Sequence, residues 1–373
     1  MRLWGSAVAG VLVALSPPAL AQVEPVAPTR PPQSLPLSPG PDAPQTPPCR
    51  PVADTPSIRI DPAAASRLAE IGLDRAAIFA RMHETSIPET SGCWATPTGN
   101  FDSQLISVGM AQWNFGTGSL QPVLAAWRKQ FRHRRDFKRM RKALAPTYGK
   151  LLFSKDCRAV PVAQKCRDAI LGAEDAKGTL SPALAAELTA LFENDAMLQV
   201  QSDAYIVLLD QVRLDVLRIF AGEPITMRKV RWAIDTRVQQ GGFPADEDIA
   251  RLRAKLAAMP AAERWPRLRA IVDWYGALAR TIDEDGIAHD WPWNVAAWTC
   301  LIDAGRIDPE QYELMSLTFL RSRTAIGNSG RWQALTFSRR GKIILGVGSV
   351  SGRRDGACPA GQAASPDGAG APG

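Results

Sequence analysis

The spacing of apolar residues along the chain predicts a mainly helical protein. Asp61-Pro62 has the form of a helix start, with a capping side chain before a proline at the first helical position, and Gly72 ends that helix. Asp74 caps the next helix, which we expect to end near Glu84. The same apolar pattern predicts further helices over 181–193, 196–220, 226–240, 246–258, 263–282, 292–304 and 309–324.

Two short stretches depart from the helical pattern. The residues around position 105 predict a short strand pair, and residues 338–351 combine β-branched residues with glycines, which favours a late hairpin. The chain contains no internal repeat, phosphate-binding loop or dinucleotide-binding fingerprint. We therefore expect a mainly α (α+β) fold with two small β elements.

Both ends of the chain differ from its middle. Residues 1–21 have one basic residue, a short apolar run and a small-x-small site, which is typical of a cleavable signal peptide. Residues 22–58 are dominated by proline and predict a disordered linker, and residues 353–373 predict a loose tail. The remaining residues, 59–352, are enough for one large domain. We expect a periplasmic or secreted protein with no stable membrane insertion.

The six cysteines of an exported chain favour disulfides. Cys157 and Cys166 are the best pair because they are close in sequence, and Cys93 could pair with Cys300. Cys49 and Cys358 lie in the two predicted flexible ends. With three histidines and no Cys/His spacing typical of zinc, the sequence predicts no metal site and no cofactor.

The chain has a formal net charge of +7 and a pI of about 9.2. Much of the excess lies in one run, residues 128–142, with nine basic residues and a single acid, and its spacing predicts one helix with a wide basic face. Such a face suits nucleic acid by charge alone, but export argues against that partner. An anionic cell-wall polymer fits better, and the sequence does not determine the oligomeric state.

The central stretch, residues 81–122, carries candidate catalytic acids. Glycosidic cleavage by paired carboxyl groups needs one acid that keeps its proton near neutral pH and one that is ionised. Glu84 lies at the predicted end of its helix, where the helix dipole opposes ionisation, and Asp102 lies in a polar turn that favours the charged form. Glu89 competes for the acid role because Glu89-Thr90-Ser91 repeats Glu84-Thr85-Ser86.

The order of these residues resembles the chitosanase family of the lysozyme-like superfamily. When Gly116-Thr117-Gly118 is set on the family's G-T-G segment, Asp102 falls on its catalytic aspartate and Glu84 on its catalytic glutamate. Residues 232–241, WAIDTRVQQG, resemble a helix segment of the same family. Residues 101–124 are also similar to uncharacterised bacterial proteins that resemble wall hydrolases. The resemblance covers about residues 75–125 and 195–242.

The resemblance implies a lysozyme-like, two-lobed catalytic domain over 59–352, with a small β-hairpin beside the cleft. It implies that Glu84 protonates the leaving oxygen and that Asp102 positions or activates water. The bulkier segment 110–114 departs from the chitosanases, so we expect its polar and aromatic side chains to bind sugar. The expected substrate-binding residues are Glu89, Gln104, Ser107, Gln112, Trp113, Asn114 and Asp235.

The sequence therefore predicts an exported glycoside hydrolase that cleaves the β-1,4 glycan of peptidoglycan or a related amino-sugar polymer. Peptidoglycan carries free carboxylates, whereas chitosan is a polycation and a poor partner for a basic chain. The alternatives are a chitosanase, a lytic transglycosylase that uses Glu84 without Asp102, and a wall-binding module that has lost catalysis.

Overall fold

The computed structural model describes residues 49–54, 58–100, 103–282, 285–325 and 329–356. Helices dominate this part of the chain, as the apolar spacing predicts. Fifteen helices are described, together with two antiparallel strand pairs. The helices are α1 (Pro62–Ala69), α2 (Arg75–Thr90), α3 (Leu120–Lys129), α4 (Arg134–Leu144), α5 (Gly149–Leu152), α6 (Lys155–Arg158), α7 (Gln164–Leu171), α8 (Pro182–Phe192), α9 (Asp195–Ile219), α10 (Met227–Gln240), α11 (Asp246–Ala257), α12 (Ala261–Arg280), α13 (Asp285–Asp303), α14 (Pro309–Ser322) and α15 (Gly330–Leu345).

The first strand pair joins β1 (Ser107–Val108) to β2 (Trp113–Asn114), which confirms the predicted strands near residue 105. The second pair joins β3 (Gly348–Val350) to β4 (Arg353–Asp355). Strand β3 lies within the segment 338–351 where the hairpin is predicted, whereas β4 lies beyond it, in the predicted tail. Residues 338–345 are helical because α15 buries Phe337 and Ile344 along with two arginines that find carboxylate partners.

Helix α2 is longer than its sequence suggests. It begins at the Asp74 cap, whose carboxylate accepts from Ala77 N at 2.7 Å, but it continues through Pro88 to Thr90. Proline usually ends a helix, since it lacks the N–H that would bond the carbonyl of residue i−4, here Glu84. The expected position of Glu84 in the last helical turn is therefore wrong.

The basic run forms two helices instead of the single one expected. Helix α3 ends at Lys129 and α4 begins at Arg134. Phe137 anchors α4 by edge contacts with the rings of Trp127 and Phe153, while most of the basic side chains of α4 stay exposed. The basic face survives this break, because α4 alone carries six of the arginines and lysines.

Two hydrophobic clusters of buried residues organise the described chain. The large cluster takes residues from α1, α2 and most helices after α9, including Ile78 and Met82. The small cluster takes residues from the β1–β2 region through α8, including Val108 and Phe115. Helix α9 contributes to both, with Met197 in the small cluster and Leu198 in the large one.

The β1–β2 hairpin is fixed to α9 at its tip. Gln201 is fully buried; its side-chain oxygen accepts from Met110 N at 3.0 Å and its amide donates to the Phe192 carbonyl at 2.8 Å. Gly109 has a φ of +89°, and a Cβ there would lie 2.7 Å from the Trp113 ring and 2.8 Å from the Gln201 oxygen. This position therefore requires glycine.

The disulfides confirm one expected pair and correct the other. Cys157 pairs with Cys166 as predicted, but Cys93 pairs with Cys49 and not with Cys300. Cys300 is also disulfide-bonded. Cys49 can reach Cys93 because the end of the predicted linker belongs to the folded part, where Val52 and Ile58 are buried in the large cluster.

No helix in the described part of the chain combines the length and apolar character needed to cross a membrane.

Candidate functional site

A pocket of about 330 Å³ lies beside α2 and contains Glu84. Four elements form its wall: α2, α10, α15 and the β3–β4 hairpin. The wall residues are Arg81, Glu84, Thr85, Ile87, Pro88, Ser91, Arg231, Ile234, Asp235, Val238, Arg339, Lys342, Ile343, Val350, Ser351, Arg353 and Asp355. The volume is in the range of small-ligand sites, and the wall combines aliphatic side chains with several charges.

Glu84 is held between two guanidinium groups. Arg81 Nη2, one helical turn earlier on α2, donates to Glu84 Oε1 at 2.6 Å, and Arg231 Nε of α10 donates to Oε2 at 3.1 Å. The Glu84 side chain keeps 37% of its surface exposed. One of these two cations therefore bonds to each oxygen of the Glu84 carboxylate.

Arg81 is the more buried of the two partners, with 12% of its side chain exposed. Burial lowers the pKa of Arg81, Glu84 opposes that shift, and the nearby charge of Arg231 lowers it further. The carbonyl of Arg81 accepts from the buried Tyr205 hydroxyl at 3.0 Å, and the Thr85 hydroxyl lies 2.8 Å from the same phenol oxygen. This turn of α2 is thereby fixed to α9.

Glu89 and Asp235 belong to one buried ion cluster beside the pocket. Asp235 and Arg339 line the pocket wall, whereas Glu89 does not. Arg339 Nη1 donates to Glu89 at 2.8 Å, and Arg339 Nε donates to Asp235 Oδ1 at 2.9 Å. Arg340 Nε donates to the second Asp235 oxygen at 3.1 Å, and Gln239 donates to Glu89 at 2.6 Å. The cluster ties α2, α10 and α15 together. The side chains of Glu89 and Asp235 are only 10% and 6% exposed, so they have little contact with solvent.

The two arginines of this cluster differ in environment. Burial lowers the pKa of Arg340 to about 10, although Asp235 favours its charged form. Burial also tends to lower the pKa of Arg339, but the charges of Asp235 and Glu89 outweigh this effect and raise it. Both side chains need Asp235 as a counter-charge, so its carboxylate is a structural partner in this arrangement.

The five expected sugar-binding residues from the hairpin region are absent from the pocket wall. Ser107 is buried and pairs with Thr98 through its backbone. The Gln112 amide group donates to the Thr96 carbonyl at 3.0 Å and accepts from the Thr98 hydroxyl at 3.1 Å. The Ser107 backbone and the Gln112 side chain therefore bond to residues of the same loop.

The other three residues of that set also lie in the hairpin region. Asn114 Oδ1 accepts from the backbone N and the hydroxyl of Thr117, both at 2.8 Å. Gln104 packs against Gly116, whose backbone N donates to the Gln104 carbonyl at 3.0 Å. Trp113 is half-buried and touches both hydrophobic clusters.

Asp102, the expected second acid, lies outside the described residues. Among its described neighbours, Leu105 N donates to Asn100 Oδ1 at 2.8 Å and Ser103 N donates to the Asn100 carbonyl at 3.1 Å.

Sequence reasoning missed the cations of the pocket. Two of them could have been found, because Arg81 lies three residues before Glu84 and Arg231 directly precedes Trp232, and the resemblance includes both of these neighbours. The sequence places three further cations, Arg339, Lys342 and Arg353, in a predicted hairpin and tail. In the structure the first two belong to α15 and the third to β4, so the sequence did not indicate that they line one pocket.

No protein-family model matches the chain, and neither the curated proteins nor the solved structures gave a significant match. The resemblance to chitosanases thus stays a prediction from the motifs. Within the described ranges, no group of three or more His, Cys, Asp or Glu side chains is placed to hold a metal ion.

Proposed function

We propose that the protein is an exported glycoside hydrolase that cleaves the β-1,4 glycan of peptidoglycan, with Glu84 as the proton donor. The observation that supports this role is the placement of Glu84 in a pocket with its side chain 37% exposed. Of the other two carboxylates in the wall, Asp235 is buried between arginines and Asp355 is 68% exposed and paired with Lys342. Glu84 is the best placed of the three for contact with a bound sugar.

The proposed reaction uses two carboxyl groups. As the bond between C1 and the glycosidic oxygen breaks, its electron pair leaves with that oxygen, which takes the Glu84 proton. The oxygen of a water molecule bonds to C1, and the water's proton passes to a second carboxylate, assigned to Asp102 from the motif. Glu84 must therefore gain a proton from solvent before each cycle, which requires its ion pairs to loosen.

The lysozyme-like, two-lobed architecture is part of this proposal. The two hydrophobic clusters support it, because α2 contributes Ile78 and Met82 to the large cluster and β1 contributes Val108 to the small one. The disulfides Cys49–Cys93 and Cys157–Cys166 support export, since such bonds persist in oxidising compartments.

The charge of the pocket favours peptidoglycan over chitosan. The described wall carries five cationic side chains and three carboxylates, so it attracts an anionic polymer and repels a polycation. The exposed basic face of α4 adds to this preference at longer range.

The test is digestion of purified peptidoglycan and of chitosan, with mass spectrometry of the products. Glu84→Gln should lower turnover on peptidoglycan by about 10²–10⁴-fold, the usual contribution of general acid catalysis. Glu70→Gln is the matched control, because Glu70 pairs with Arg213 on the surface and lies outside the pocket. Full activity of Glu84→Gln would exclude the proposed acid.

Asp102→Asn separates the alternatives. A hydrolase that uses both acids should lose activity as completely as in Glu84→Gln. A lytic transglycosylase would keep most activity and release 1,6-anhydro products. A binding module would show no turnover in the unmodified protein.

A further inference from the structure

The pocket holds more positive charge than its own carboxylates neutralise. Lys342 pairs with Asp355 at 2.9 Å, and Arg339 pairs with Asp235 and Glu89. The charged wall residues that remain are three arginines, Arg81, Arg231 and Arg353, and one carboxylate, Glu84. Arg353 has no ion pair within the described part of the chain, and Arg81 and Arg231 share Glu84.

The donors of these guanidinium groups are largely unused. Arg81 Nε is buried and has no hydrogen-bond partner among the described residues. In the same part of the chain, Arg231 donates only its Nε–H, to Glu84, and keeps 38% of its side chain exposed. An arginine has five N–H donors in a fixed planar fork, so both side chains can accept a second anion without breaking their first pair.

The nearness of the two arginines strengthens the need for that second anion. Both bond to the same carboxylate, one to each oxygen, and the charge of Arg231 disfavours the charge of Arg81. A buried cation beside another cation is stabilised by any added negative charge that hydrogen-bonds to it. The two neighbouring guanidinium groups therefore make this part of the pocket suitable for binding an anion.

The rest of the wall indicates what carries the anion. Ile87, Pro88, Val238, Ile343 and Val350 give the pocket an aliphatic lining, which suits the apolar face and methyl groups of a sugar. A volume of about 330 Å³ is sufficient for one sugar unit with a short acidic substituent. Arginine forks match the planar carboxylate in two-bond geometry.

We propose that Arg81, Arg231 and Arg353 form a binding site for the carboxylate of an acidic amino-sugar unit. This inference rests on the proposed function and specifies which unit of the polymer the pocket takes. The carboxylate has two possible sources: the lactyl group of a muramic acid without its peptide, or an acidic residue of the attached peptide. A ligand carboxylate at Arg231 would share that guanidinium with Glu84, because the donors of Arg231 other than Nε are free among the described residues.

The test measures binding and needs no turnover. The probes are N-acetylmuramic acid, its methyl ester, N-acetylglucosamine, and a disaccharide–peptide fragment of peptidoglycan, each titrated into the full protein and followed by calorimetry or NMR. N-acetylmuramic acid should bind at least about tenfold more tightly than its ester and than N-acetylglucosamine. If only the disaccharide–peptide fragment binds, the carboxylate comes from the peptide.

Arg231→Gln should weaken binding of the acidic probe by about tenfold or more, and Arg228→Gln is the matched control. Arg228 lies on the same helix but pairs with Asp308 and Glu310, outside the pocket wall. Measurable binding of the acid and its ester with equal affinity, or equal loss in the two variants, would overturn the proposal. So would the absence of binding by every probe.

The two proposals can fail separately. Tight, Arg231-dependent binding without digestion of peptidoglycan would leave a carboxylate-binding protein and remove the hydrolase. Digestion that depends on Glu84, with no preference for acidic probes, would keep the hydrolase and remove the carboxylate site.

Discussion

Helix α2 and its C-terminal cap carry the same three residues twice, and the two glutamates differ in exposure and in ion-pair partners. Glu84-Thr85-Ser86 and Glu89-Thr90-Ser91 are five residues apart, so their glutamates point about 140° apart around the helix axis. Glu84 is half-exposed in the pocket, between Arg81 and Arg231. Glu89 is 10% exposed and bonds to Arg339.

The comparison shows that neighbouring helices, and not the local sequence, assign the role of each glutamate. Both copies bury their threonine: Thr85 against Tyr205, and Thr90 against the carbonyls of Ser86 and Cys93. The difference arises where α15 reaches α2, because Arg339 connects Glu89 to Asp235. Glu89 therefore helps to hold α2, α10 and α15 together, whereas Glu84 lines the pocket.

The largest expected effect comes from removing the centre of the buried cluster. Asp235→Asn leaves Arg339 and Arg340 without their shared counter-charge, and breaking one side of a buried ion pair costs about 3–5 kcal/mol. Urea denaturation should show this loss in the free energy of unfolding. Asp355→Asn, an exposed pocket carboxylate, is the control and should change stability by less than about 1 kcal/mol. Equal stability of both variants would contradict a structural role for Asp235.

A smaller effect is expected from the second glutamate. Glu89→Gln keeps an oxygen for Arg339 but loses the charge, and a hydrogen bond to a charged group is worth about 1.5–3 kcal/mol. The folded variant should digest peptidoglycan at close to the unmodified rate, measured well below its unfolding temperature. If turnover instead falls as far as in Glu84→Gln, the acid role moves to Glu89.

The smallest effect is expected at the surface. Glu70→Gln removes an ion pair with Arg213 in which the glutamate is 52% exposed, and such pairs contribute about 0–1 kcal/mol. Its unfolding midpoint in urea should match the unmodified protein within that range. A loss as large as that of Glu89→Gln would show that burial does not explain the contrast between the two classes of pair.

Part of the candidate site was predictable from sequence and part was not. The order of Glu84, Asp102 and the G-T-G segment predicts a functional role for Glu84, which lies in a pocket. The predicted sugar ligand Asp235 lies in the same pocket wall but bonds to two arginines. The hairpin residues, such as Gln112, bond within their own loop, which spacing along the chain could not reveal.

Three features could be predicted from sequence because they depend on residues close in the chain: the helical character, the strand pair near residue 105 and the Cys157–Cys166 bridge. Tertiary packing is needed to explain why α2 runs through Pro88, why residues 338–345 are helical and why Cys49 pairs with Cys93. It also placed Arg231 against Glu84 and Arg339 against Glu89. Such pairs join residues over a hundred positions apart, and no local pattern encodes which distant charge will meet a buried carboxylate.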